Sequence, residues 1–417
     1  MNPKQQRKVE ILTRVEAEAL DVSTAAELLG LSPRQVRRLR ARFRQEGFQV
    51  VIHGNCGRSP VNGTDVSLLE RIVALAGPDG KYGDLNVSHL QDLLDQEEKI
   101  TLGRSTLDRW LKQAGLRQRA QPSAPAHRRR RLRRPAEGML LQIDGSPFAW
   151  LEGRGPKAVL IGAIDDATGK IVFLVFRPTE DQIGYLLLLR TVAQSPGLPM
   201  SIYHDRHTLL RSPKQPTLEE ELAGQVPRSQ IQRVMAELGI ESIPAHSPQA
   251  KGRIERLWGT LQDRLTKELR LSGITTLEEA NLFLPGFTER YNARFAKAPR
   301  DPHSAWVPLP ADLDLNYYFA VRETRKVRSD HCLSWSGQLL QLLPGPKDPS
   351  LVDKSVTVHV VPEGDLYLYH DQHPVAYRPV SASEAVPLKP IRQPLVQPRP
   401  ADPKAAARRR GWLFAQR

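Results

Sequence analysis

The spacing of apolar positions along the chain changes twice. Up to about residue 116 apolar side chains recur every three or four positions, the period of amphipathic helices. In TAAELLGLSPRQVRRLRARFRQEG a short helix carrying Ala25, Ala26, Leu28 and Leu29 meets a turn at Gly30 and Leu31. A second helix follows, with Ser32 as N-cap, Pro33 at its first position and Gln35 where a capping box places it. Val36, Leu39 and Phe43 form its inner stripe. DVSLLERIVALAG, NVSHLQDLLDQ and GRSTLDRWLKQAG predict three further helices.

From Met139 the pattern turns to strands. MLLQID is one, and KAVLIGAID and KIVFLVF form a hairpin about the turn DATG. Then come a helix (DQIGYLLLLRTVAQ), a strand (PMSIYHD), a helix (RSQIQRVMAELG), a short strand (ESIPAH) and a long helix from PQAKGRIERLWG onward. That last helix carries Ile254, Leu257, Trp258, Leu261, Leu265 and Leu269 at helical spacing, a face for packing on a sheet. A hairpin-first sheet followed by alternating helices and strands predicts a ribonuclease-H-like α/β core. From residue 321, RKVRSD, CLSWSG, QLLQLL, SVTVHVV, DLYLYHD and VAYRPV read as short strands between Gly and Pro turns, expected to close into a small SH3-like β-barrel. The expected fold is therefore multidomain. Helix-turn-helix units span 1–60 and 61–116, a Pro/Arg-rich basic linker 117–137, the α/β core 138–300, the β-barrel 315–385 and a disordered basic tail 386–417.

Charge adds a partner. The 417 residues hold 60 Lys and Arg against 46 Asp and Glu, a formal net charge of +14, and most of the excess lies in the first third. Such a balance favours a polyanion. On the second helix of the first unit the basic positions avoid the apolar stripe, which fits a recognition helix entering the major groove with Arg34, Gln35, Arg37 and Arg38. Arg104 opens the last helix of the second unit, where packing, dimerising and DNA-reading roles all remain open. Arg128, Arg129, Arg130 and Arg131 in the linker are suited to tracking phosphates, with a solubilising tether as the plainer reading. Near the C-terminus Arg325, Lys326, Arg328 and Trp335 are candidates for DNA or subunit contacts, with simple stabilisation as the alternative. Cys56 and Cys332 are far apart with no Cys-x-x-Cys companion, so neither a disulfide framework nor a cysteine zinc site is indicated. The N-terminus lacks an apolar signal region and no 18-residue apolar run occurs, so a cytoplasmic protein without a membrane partner is expected.

Three acids stand at informative places. Asp144 ends or nearly ends the first strand, Asp205 ends the fourth, and Glu255 lies in the first turns of the long helix, with 49 residues between the latter two. If strands one and four are neighbours, the aspartates converge and the helix brings the glutamate beside them. Three such carboxylates repel one another unless cations neutralise them, and hard divalent ions with oxygen ligands do that. Two such ions would activate an attacking oxygen and stabilise the leaving oxygen of a phosphodiester. Lys251, Arg253 and Arg256 surround Glu255 and are candidates for DNA phosphate. Asp165 and Asp166 read as turn residues. His204, His207 and His246 flank the acids and read as surface or hydrogen-bonded side chains before metal ligands.

LQIDGS, IDDATGKI, YHDR and HSPQAKGRIERLWGTLQDRL together resemble the DDE catalytic core of retroviral-integrase-like bacterial insertion-sequence transposases, over roughly residues 138–295. The last stretch most resembles the ISNCY family. The resemblance implies that Asp144, Asp205 and Glu255 bind Mg²⁺, with Mn²⁺ substituting, and catalyse DNA cleavage and strand transfer. It further implies double-stranded DNA, both element ends and target, as the partner, and a homo-oligomer on paired ends. Two alternatives stand beside it: a DNA-binding regulator derived from such an enzyme, and a ribonuclease-H-like nuclease that cuts without joining. The gap between Asp205 and Glu255 is longer than such cores usually show, and RSPKQPTLEEELAGQ is the expected polar insertion.

Overall fold

The computed structural model describes residues 3–52, 65–117, 132–212, 221–222, 226–245, 252–343, 345 and 350–381. Arg128, Arg129, Arg130, Arg131, His246, Pro248, Lys251, most of the expected insertion and the expected tail lie outside the described residues. The chain forms two compact units, residues 1–80 and 81–417, and the helices expected across 61–116 are shared between them.

In the first unit, α1 (Pro3–Glu16), α2 (Val22–Leu29) and α3 (Pro33–Glu46) close over Ile11, Val15, Ala25, Ala26 and Val36. Local chemistry sets each boundary. Asp21 caps α2 by accepting from the Ser23 and Thr24 amides, and Gly30 ends it in the left-handed region that only glycine enters freely. The Ser32/Gln35 capping box and Pro33 begin α3 as the sequence predicts. α4 (Val66–Ala76) completes the described part of this unit.

The second unit opens with α5 (Val87–Gln96) and α6 (Arg104–Gln113) and then builds a five-stranded sheet. Its strands are β1 (Leu141–Phe148), β2 (Ala158–Asp165), β3 (Ile171–Arg177), β4 (Ser201–His204) and β5 (Glu241–Pro244), in the order β3-β2-β1-β4-β5. β1, β2 and β3 form an antiparallel meander, while β4 runs parallel to β1 and β5 parallel to β4. The sheet is therefore the mixed α/β core the pattern predicts, with β1 and β4 adjacent.

One face packs α7 (Gln182–Gln194) and α8 (Gln230–Glu237) through Leu141, Ile143, Ile161, Tyr185, Leu189, Ile231 and Val234. The other face packs α9 (Ile254–Leu271) and α10 (Leu277–Phe295) through Leu160, Phe176, Ile254, Trp258 and Phe287. Strand alternation sends neighbouring residues of β1 and β2 to these two cores. α10 also seals the sheet edge: the Asn281 and Asn292 amides bond both backbone groups of Phe176 and Ile171, the exposed ladder positions of β3.

α5 and the turn that leads into it are bound to α9 by polar contacts. Arg264 pairs with Asp92 at 2.8 Å, His89 Nε2 lies 3.1 Å from Glu268, Arg270 pairs with Asp84 at 2.6 Å and Asn86 bonds Asp263.

The C-terminal strands correct one expectation. β6 (Val321–Lys326), β9 (Ser355–Val360), β10 (Leu366–His370) and β11 (His373–Val375) form one sheet; β7 (Cys332–Trp335), β8 (Gln338–Leu342) and β12 (Tyr377–Val380) form another. Among the described residues no ladder joins the two, so they face each other across Val327, Leu333, Leu340, Leu342, Val356, Val358 and Leu368 without closing a barrel. The stretch read as one strand, VAYRPV, breaks at Ala376 and serves both sheets. Alternation yields strands, but closure depends on which edges pair, and no local pattern encodes that.

Candidate active site

β1 pairs with β4 at Leu141–Ile202 and Gln142–Tyr203, and continuing that offset sets Asp144 across from Asp205. The ladder itself ends at Gln142–Tyr203 and Asp205 follows β4, so both aspartates stand where the two strands part. Asp144 does not end its strand: β1 continues for four residues, held to β2 after β4 has ended. The hairpin ladder carries β1 past the acid, an extension hidden by the Gly, Ser and Pro that follow it.

Gln142 and Asp144 share the face of β1 that α9 covers. The backbone N–H of Ile254, at the start of α9, donates to Gln142 Oε1 (3.3 Å), and Trp258 Nε1 donates to Asp144 Oδ2 (3.1 Å). Glu255 stands one turn before Trp258 on neighbouring helix positions and is exposed. The indole bond thus fixes the helix turn bearing Glu255 next to the strand bearing Asp144. Gly162, the partner of Asp144 on β2, gives the ring its space, since a Cβ there would come within 2.8 Å of it.

Asp205 Oδ1 accepts from the backbone N–H of His207 at 2.9 Å. His204 is fully buried, with Nε2 2.8 Å from the Ser242 hydroxyl and Nδ1 2.5 Å from the Asp205 carbonyl, so it ties β4 to β5. The donor set left at the junction is all carboxylate, which suits a hard divalent cation and not a soft one. Among the described residues, however, no three His, Cys, Asp or Glu side chains converge closely enough to hold a metal ion.

Asp165 and Asp166 do far more than make a turn. Both are fully buried. Asp165 accepts from the Gly138 amide and from the Thr168 amide and hydroxyl; burial still pushes its pKa up against those bonds. Asp166 takes the Arg134 amide, the Gln142 amide and the Arg253 guanidinium, the last at 2.5 Å. Arg253 therefore anchors the entry to α9 on the sheet. Sequence reasoning missed this network, and its one available signal was a pair of adjacent acids directly after a strongly apolar strand.

Of the other candidates, Arg34, Gln35, Arg37 and Arg38 are exposed along the start of α3, and among the described residues no acid pairs with the three arginines. Arg40 and Arg44 bind Glu16, and Arg42 binds Glu46. Arg104 is exposed at the first position of α6, and exposed Arg256 donates to the Gly252 carbonyl at 2.7 Å. Arg325 lies over the Trp335 ring, while Lys326 and Arg328 pair with Asp353 and Asp330.

A helix-turn-helix unit and an acid-bearing mixed sheet in one chain mark an enzyme of the transposase and integrase class. Residues 2–52 match the family described as a Homeodomain-like domain. A Sinorhizobium fredii protein carrying the transposase name y4bF is 35% identical over 379 residues, 91% of this chain and 81% of that one. The transposase for insertion sequence IS1202 of Streptococcus pneumoniae is 27% identical over 379 residues, 82% of this chain and 78% of that one. The chain belongs to the insertion-sequence transposases. Among solved structures it is similar to the HTLV-2 integrase catalytic core domain in complex with magnesium, trimeric form (16% identity, 36% of this chain, 82% of that one, TM-score 0.26). It is also similar to a chain of the simian T-cell lymphotropic virus intasome in complex with PP2A regulatory subunit B56 gamma (14% identity, 70% and 95%, TM-score 0.30). Both likenesses are partial.

Proposed function

We propose that this transposase binds the terminal repeats of its own insertion sequence, cleaves phosphodiester bonds there and joins the freed 3′ hydroxyls to target DNA. The observation that supports the reading is the β1–β4 register, which extended by its own offset would bring Asp144 opposite Asp205, together with the Trp258–Asp144 bond that holds the helix turn of Glu255 against β1. Asp144, Asp205 and Glu255 would hold Mg²⁺, or Mn²⁺ in its place. The ion supplies charge neutralisation and activation of the attacking oxygen when bound. The residues of the chain do the positioning: Gln142 and Arg253 seat the start of α9, and Trp258 orients the Asp144 carboxylate.

Arg34, Gln35, Arg37 and Arg38 would read base edges from α3, whose exposed first turns are free of acidic partners among the described residues. Arg104, Arg128, Arg129, Arg130, Arg131, Lys251 and Arg256 would hold phosphates, with Arg253 contributing its charge from its seat on Asp166. Ser-Pro-Gln-x-x-Gly-x-x-Glu, ending at Glu255, supports a place in the ISNCY family. Chemistry at two element ends requires at least two copies of the chain. The test is strand transfer with Mg²⁺ on DNA carrying the ends that flank the element: joined products are expected, and cutting without joining would turn the reading to a nuclease.

A further inference from the structure

On the face of β1 opposite Trp258, a fourth carboxylate lies against the strand one residue from Asp144. A Cβ added to Gly145 would stand 2.8 Å from the carboxyl carbon of Glu180 and 2.9 and 3.1 Å from its two oxygens. The end of this side chain therefore occupies the place of a Cβ, and a residue other than glycine there would have to displace it. Tyr185, on α7 and fully buried, donates its hydroxyl to Glu180 Oε1 at 2.5 Å. Burial first, and then the charge of Glu180, hold the Tyr185 hydroxyl well above its usual pKa, and the charges of Asp144 and Asp205 act in the same direction. The phenol is thus a fixed donor to Glu180 in the turn between β3 and α7, and the charges of Asp144 on β1 and of Asp205 just past β4 reach it as well.

We propose that Glu180 is a positioning residue of the catalytic site, which lies beneath the Asp144–Gly145 backbone and adds a fixed negative charge to the aspartate pair, raising the site's affinity for a divalent cation. The proposal rests on the reading that Asp144 and Asp205 hold the ion. The Glu180 carboxylate is half-buried, and the Tyr185 hydroxyl and the absent Cβ of Gly145 make its place. A plain packing role explains neither feature: an apolar side chain would fill the same space without needing Tyr185 to reach it.

The test measures Mn²⁺ affinity of the full chain by titration calorimetry without DNA, together with its thermal midpoint. Glu180→Gln keeps the shape and the acceptor for Tyr185 but removes the charge, so it should weaken Mn²⁺ binding about tenfold while the midpoint stays put. Gly145→Ala should push the carboxylate away and produce a similar loss, and adding Glu180→Gln to it should cost nothing more. Asp144→Asn is the control for the reading beneath. If it leaves Mn²⁺ binding intact, the metal assignment fails and the proposal with it. If Asp144→Asn abolishes binding while Glu180→Gln binds as the parent does, the proposal alone is overturned. Additive losses from Gly145→Ala and Glu180→Gln would also overturn it, because they would show two independent effects. Should Gly145→Ala fail to fold, Glu180→Gln decides alone.

Discussion

Asp144 accepts a hydrogen bond from an indole, and that bond links the strand acid to the helix that carries Glu255. Removing the donor should misplace the carboxylate without removing it. Trp258→Phe keeps most of the packing and forfeits a charge-assisted bond worth roughly 1.5–3 kcal/mol, so strand transfer should fall about tenfold or somewhat more. The acids themselves should be far less forgiving. Asp144→Asn, Asp205→Asn or Glu255→Gln should each lower cleavage and joining by at least roughly 10³-fold, while a gel-shift assay shows element-end binding unchanged, because α3 belongs to the other compact unit. Full strand transfer by any one of the three would remove that residue from the mechanism.

Between elements, charge does two kinds of work. On α3 it is exposed and directed outward, and Arg34→Ala or Arg38→Ala should erode preference for the correct end sequence. Neutralising Arg128, Arg129, Arg130 and Arg131 should instead weaken binding to all DNA and flatten its salt dependence. Unchanged footprints and slopes in both sets would sink the division between base reading and phosphate holding. Between α5 and α9 the charges are paired and partly buried. Arg264 is 7% exposed and Asp92 holds both it and Arg294, so Asp92→Ala leaves two cations facing each other and should cost about 3 kcal/mol in thermal unfolding. The same joint should be acid-sensitive. Burial pushes Glu268 up, but hydrogen bonds from His89 and Arg290 outweigh it and hold its pKa below the ordinary 4.5. A carboxylate with a depressed folded pKa contributes stability that is present above 4.5 and lost as the pH falls through its folded value, so the unfolding midpoint should drop below that pH. In Glu268→Gln that part of the drop should be absent.

At the scale of the molecule, the division after residue 80 decides how assembly is tested. α5 and α6 travel with the catalytic sheet, so a truncation that keeps residues 81–417 preserves the α9 joint and removes α1 to α4. If one subunit's first unit binds one element end while its core acts on the other, a Glu255→Gln chain mixed with the 81–417 chain should recover joining that neither shows alone. No recovery, with mixed complexes shown to form, would favour catalysis on the same end that the subunit binds.

Local chemistry alone determined much of this. The capping box at Ser32, the glycine stop at Gly30 and the apolar stripe from Ile254 to Leu269 are nearest-neighbour facts, and the helices appear where those signals place them. The order of strands and helices around three acids was legible for the same reason, since alternation and period are written residue by residue. What tertiary structure decided are the contacts between segments far apart in the chain. Asp144 meets Trp258 across 114 residues, Asp166 meets Arg253 across 87, and the Glu180 carboxylate lies where a Cβ on Gly145 would stand. Whether the C-terminal strands close a barrel was likewise set by which edges pair, and there they form two sheets. A buried polar partner leaves no periodic trace in a sequence; only the folded chain, which must satisfy most such groups, shows where they find their bonds.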